Sequence, residues 1–242
     1  MRLFYRRLTA PVLTLLLALF QSGCSSVTPQ SFEHASRSGI RQVYLLPVGL
    51  PEQARVQIMN PIGAGFGIAG NLIEARRAAG AGEEMQNTLA AAHYDFRAAL
   101  SASLAAAVSK VGFVITRVAG DRPASERARF LREYPEARHA DAFLDIYVTY
   151  VGFEAPQSSS DYRPRLEIAA RLVRARDHRT LFQDRIVYGY VENVDAEADI
   201  IGADEKLSFR NRASLQADPH RTARALQSAI DTISWELARQ FM

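Results

Sequence analysis

The chain has 242 residues, 48% of them hydrophobic and 23% charged, with a formal charge of +3 and a pI near 9.2. Arg2, Arg6 and Arg7 account for that excess: the first 23 residues hold no acid, and residues 24–242 carry 26 basic and 26 acidic side chains. A neutral chain lacks the electrostatic footprint of a nucleic-acid binder, and one cysteine allows neither an internal disulfide nor a cysteine-based metal site.

The N-terminal arginines are followed by an apolar run of 13 residues, Leu8 to Phe20, and then by Gln21, Ser22, Gly23 and Cys24. This reads as a cleaved secretory signal over residues 1–23, because a membrane span needs about 20 apolar residues. The only cysteine stands directly after the small residues Ser22 and Gly23, which resembles a bacterial lipoprotein signal, with Gln21 where that family usually has Leu. The resemblance implies diacylation, with palmitate among the chains, at Cys24. Ser25 and Ser26, with no Asp after the cysteine, further imply the periplasmic side of the outer membrane. An ordinary secreted protein with a stray cysteine is the alternative. Residues 24–40 are rich in Ser, Thr and Gln without an apolar period, and read as a flexible tether from the anchor to a single domain over 41–242.

Gln42 to Val48 is dense in strand formers, with Pro47 ending the strand or marking a bulge. From Val56 to Ile73 there are 18 residues without a charge. Gly65, Gly67 and Gly70 fit the dinucleotide spacing G-x-G-x-x-G, but Pro61 interrupts the strand that fingerprint needs. The run reads either as an apolar loop over the sheet edge or as a surface meeting a membrane or partner. Ile62, Gly63, Gly65, Phe66, Gly67, Ile68 and Gly70 are the candidate contacts.

Met85, Leu89, Phe96, Leu100, Leu104 and Val108 form one stripe and predict a long helix, with Gly112 placed for a left-handed C-terminal turn. His93 lies beside that stripe, where a boundary residue is commoner than a catalyst. Phe113 to Val118 reads as a strand completing a right-handed β-α-β unit. Pro123 to Tyr134 reads as a short polar helix ending before Pro135. Three alternating segments, Asp141 to Gly152, Arg163 to Arg174 and Thr180 to Val191, predict an antiparallel meander. Residues 192–217 are polar and weakly patterned; Asp195, Glu197 and Asp199 begin like a calcium loop, but Ile200 and Lys206 stand where Gly and Glu are needed. Asp218 and Pro219 open the last helix, whose face is Leu226, Ile230, Ile233 and Leu237.

The expected fold is therefore α/β: a single mixed sheet of about five strands, with two main helices on one face. The chain shows no nucleophile elbow, zinc-protease, phosphate-loop or serine-lysine motif, so no catalytic residue, metal or cofactor is expected. Asp145, Glu167, Arg171, Asp184 and Arg185 are close enough across neighbouring strands for acid-base work, or for a charge ladder on a solvated sheet face, the reading preferred here.

Two runs, Val108-Ser-Lys-Val-Gly-Phe-Val114 and Ala140-Asp-Ala-Phe-Leu-Asp-Ile146, resemble a small α/β domain of envelope proteins. That group includes the curli-secretion lipoprotein, the lipoprotein activators of penicillin-binding proteins and the N-terminal domain of the Tol propeller protein. The resemblance implies a non-catalytic binding or assembly module with an envelope protein or a second copy as partner. A subunit of an oligomeric export or pore complex, its uncharged run in the bilayer, is the alternative, with an envelope hydrolase third.

Overall fold

The computed structural model describes residues 27–60, 80–157, 160–190 and 198–242. The signal, Cys24, Asp195, Glu197 and the candidate contacts from Ile62 to Gly70 lie outside the described residues. In chain order the strands are β1 (Gln42–Leu45), β2 (Arg55–Asn60), β3 (Val114–Arg117), β4 (Ala142–Gln157), β5 (Arg163–Arg174), β6 (Thr180–Gly189) and β7 (Asp199–Gly202). The helices are α1 (helical over 80–91), α2 (Phe96–Lys110), α3 (Arg212–Ala217) and α4 (Pro219–Arg239).

The expected α/β architecture is present: one mixed sheet in the order β3-β1-β4-β5-β6-β7, with helices packed on one face. β1 and β3 are parallel, as the β-α-β reading requires, and β4-β5-β6 is the antiparallel meander. Two short strands add to the expected five. β2 comes from the start of the uncharged run, and β7 from the weakly patterned stretch, where it pairs parallel to β6.

β4 is the spine. β1 pairs with its first residues, Ala142–Leu144, and β2 with its last, from Gly152 to Gln157, so residues 42–60 run along a single edge of one 16-residue strand. Gly49 bridges to Tyr147 between them. A bulge at Thr149 moves the register from Val148–Ile168 to Tyr150–Glu167. Side chains alternate faces along a strand, so the extra residue hands the core from Val148 to Val151, Phe153 and Ala155, while Tyr150 turns to the opposite face.

The core lies between the sheet and the helices. Leu100, Leu104 and Val108 of α2 and Leu226, Ile230, Ile233 and Leu237 of α4 are buried against Leu144, Ile146, Leu166, Ile168 and Ile186. Asp218 caps α4 as expected, its carboxylate accepting the Arg221 N–H at 2.8 Å, and Gly112 closes α2 at φ 94°. The long helix, however, is two: the chain breaks at His93, whose φ is 51°, and restarts when Asp95 accepts the Ala98 N–H at 3.0 Å. A good side-chain cap offsets the cost of ending a helix early, which a stripe of apolar spacings does not reveal.

Two other expectations are corrected. Pro123 to Tyr134 holds only a 3-10 turn, Ala124–Glu126, in an otherwise irregular segment that lies on the helix-free face of the sheet. From Thr28 onward the presumed tether is bound to the fold. Gln30 bridges Gln183 of β6, Phe32 is buried with its ring 5.5 Å from Phe241, and Arg37 stacks over Phe113 at 3.8 Å.

Candidate functional site

Among the described residues, the most heavily buried charges lie on the helix-free face of the sheet, in two clusters. The first is built on Asp145, completely buried near the start of β4. Its partner is Arg122, at 2.7 Å and 1% side-chain exposure, not Arg171, which sits directly opposite on β5. The Arg122 guanidinium also donates to the carbonyls of Pro47 and Ile146 at 3.3 Å, of Glu126 at 2.6 Å and of Arg129. The second Asp145 oxygen accepts the Leu131 N–H at 2.8 Å and the Tyr134 hydroxyl at 3.1 Å. Burial, then the Asp145 charge, pushes the Tyr134 phenol up to about 12, so it stays a donor. A buried pair of this kind is tolerable only when its remaining donors and acceptors are met, and here they are met by the backbone of the 122–131 segment. The charge ladder on a solvated face is thus overturned for Asp145: it is a buried staple holding an irregular segment on the sheet. Arg171 instead lies 4.0 Å over the Phe130 ring and donates to Gln183 at 2.7 Å.

The second cluster lies beyond the bulge. Arg165 bridges Glu154 at 2.7 Å and Glu167 at 3.1 Å, Arg185 reaches Glu167 at 3.7 Å, and the Tyr150 ring lies 5.0 Å from the Arg165 guanidinium. Glu154 is completely buried; desolvation raises its carboxyl above the ordinary range against the pull of Arg165 and of the Tyr190 N–H. This part does resemble the expected cross-strand ladder, with Arg165 and Glu154 added. Asp184 is set apart on the helix side of β6. Burial, with the Asp199 carboxylate beside it, pushes it up to about 6.

Between the stapled segment and the β1–β2 connection runs an open groove of about 730 Å³, lined by Leu50, Glu52, Ala54, Arg55, Gly82, Ser125, Arg127, Arg129 and Thr149 among others. Next to the groove, a Cβ on Gly49 would lie 2.3 Å from the Arg127 carbonyl and 2.9 Å from Tyr147 Cβ, so only glycine lets the two segments approach. The exposed guanidinium groups of Arg55, Arg127 and Arg129, the carboxylate of Glu52 and the hydroxyls of Ser125 and Thr149 equip the groove for hydrogen-bonded recognition of a polar, preferentially anionic group. Among the described residues, no three His, Cys, Asp or Glu side chains are grouped to hold a metal, and no helix is long and apolar enough to cross a membrane. Sequence reasoning missed Arg122, Glu154 and the groove. Arg122 was legible only as part of the turn Gly120 to Pro123, and no local spacing marks the distant residues that meet it.

No protein-family model matches the chain, and no curated protein matches it. Among solved structures it is similar to the PelC dodecamer from Paraburkholderia phytofirmans, 10% identical over 89% of this chain and 96% of that one, with a TM-score of 0.40. Protein XCC0632 from Xanthomonas campestris is 11% identical over 83% and 85%, with a TM-score of 0.41. Lipoprotein GNA1162 from Neisseria meningitidis is 16% identical over 64% and 88%, with a TM-score of 0.33.

Proposed function

We propose that the mature chain is an outer-membrane lipoprotein, anchored through Cys24 and facing the periplasm, that acts without catalysis as a binding or assembly module for another envelope component. The observation that carries this is the single cysteine placed directly after a basic, 13-residue apolar and small-residue signal. The site geometry supports the non-catalytic part. The buried charges on the helix-free face hold backbone and one another, whereas the exposed arginines of the groove are presented for recognition.

Cys24→Ser is expected to abolish palmitate labelling and release the protein from the outer-membrane fraction, because stable anchoring takes more than one chain. A mutant that still labels would remove the anchor from the reading. Crosslinking in intact envelopes followed by recovery of this chain is expected to trap a partner. Arg127→Glu with Arg129→Glu should weaken that product if the groove is the contact. Phe66→Asp should weaken it, with the thermal midpoint unchanged, if the uncharged run is the contact. The mass of the detergent-extracted complex separates a monomer with a foreign partner from a ring of identical subunits.

A further inference from the structure

The groove beside the staple has two fixed walls. On one side Gln86 of α1 donates to the Glu52 carbonyl at 3.1 Å and holds the β1–β2 connection in place. On the other, Arg122 donates to the carbonyls of Glu126 and Arg129, and Asp145 accepts the Leu131 N–H. The backbone that carries Arg127 and Arg129 is thus tied down from both sides, and a ligand held between such walls costs little further ordering. Charge gives the groove a sign. Arg55, Arg127 and Arg129 line it, are exposed and have no carboxylate partner among the described residues, while Glu52 is the one acid in the lining. The arginines seated on the sheet differ, since Arg122, Arg165 and Arg185 each have a carboxylate.

Shape decides what kind of anion fits. A volume of about 730 Å³ suits a ligand of several groups and not a single small ion. β1 pairs with β4 only as far as Leu144 and β2 only from Gly152, so Val148 and the bulged Thr149, which line the groove, have neither strand beside them. A strand edge left bare in this way favours an extended chain. Leu50 and Ala54 add small aliphatic surface, and no aromatic ring stands in the lining as a platform for a sugar or a base. We propose that the groove seats an extended acidic segment of a partner polypeptide, its carboxylates on the forks of Arg127, Arg129 and Arg55 and its intervening aliphatic side chains against Leu50 and Ala54. Alternate side chains of an extended peptide share one side, and planar guanidinium groups match carboxylates two bonds at a time. This rests on the reading of the chain as a binding module.

The full chain is expressed in a Gram-negative host, extracted in a nonionic detergent and titrated against a fluorescein-labelled octapeptide of alternating Glu and Val, read by anisotropy. Saturable binding is expected, and the same peptide with Gln in place of Glu should bind weaker by about tenfold or more, because its bonds to the arginines are no longer charge-assisted on both sides. Arg127→Gln with Arg129→Gln should weaken the Glu peptide by a similar factor without moving the thermal midpoint. Arg210→Gln with Arg224→Gln, exposed and outside the groove, should leave binding unchanged. Equal losses in the two double variants, or equal binding of the Glu and Gln peptides, overturn the proposal. Tighter binding of oligogalacturonate, or of phosphatidylglycerol in mixed micelles, at equal charge also overturns it, in favour of an acidic glycan or a lipid headgroup. A chain whose groove ignores the peptide but which still crosslinks an envelope partner removes this inference and leaves the module standing. Arginine-dependent peptide binding in a chain that crosslinks nothing upholds the groove and removes the module.

Discussion

Asp145 and Arg122 show how little a residue's place in a strand pattern reveals about its partner. Removing one member of a buried ion pair strands the other, which costs about 3–5 kcal/mol. Arg122→Met is therefore expected to lower the unfolding free energy, measured by denaturant titration, by an amount in that range and to loosen residues 122–131 in hydrogen exchange. Adding Asp145→Leu should recover only part of the loss, because the Leu131 N–H and the Tyr134 hydroxyl would then lack their acceptor. Asp184 makes a prediction of opposite sign. Its carboxyl titrates near 6 in the folded chain against an ordinary 3.8, so between those values the folded state holds more protons than the unfolded one. The contribution of this group to stability is fully present below the lower value and is lost as the pH rises through the higher. Asp184→Asn is expected to raise the thermal midpoint at pH 7 and to leave it nearly unchanged at pH 4.

At the scale of elements, the bulge and the close crossing of β2 with β4 carry the distinctive geometry. Gly152 sits at φ 147°, and a Cβ there would fall 1.8 Å from the Arg55 carbonyl oxygen. Gly152→Ala should cost several kcal/mol, about the upper range for overpacking, because backbone and not a side chain must yield. Loss of exchange protection over residues 55–60 is the specific sign that β2 has detached. Leu100→Ala and Ile230→Ala, both fully buried in mid-helix, are expected to cost about 2–5 kcal/mol each by denaturant unfolding. The elements that were legible, β1, β3, the meander and α4, announce themselves through local period, caps and turn residues. What was hidden depends on residues far apart in the chain. β2 reads as part of a glycine-rich run because its reason to be extended is the far half of β4. The break at His93 leaves the apolar stripe in phase, and the covering of the helix-free face rests on Arg122 reaching a carboxylate 23 positions away. The groove was illegible for the same reason, since its walls come from segments that only the staple brings together.

At the scale of the whole molecule, residues 28–60 are sewn into both halves of the sheet by partners that lie far downstream. Gln42 donates its N–H to Asp141, 99 positions later, and Gln30 reaches the Thr180 carbonyl 150 positions on. β1 and β2 follow one another along one edge of β4, β1 also pairs with β3, and Gln30 bridges to β6. Pairings this distant form slowly because the loop must close before any contact rewards it. A chain that emerges N-terminus first, as from the ribosome, thus carries residues 28–60 without a complete sheet until β4 and then β6 have been made. The topology withholds those partners until late, and α4, which follows every strand in the chain, seals Phe32 against Phe241 only after the sheet's last strand has been made.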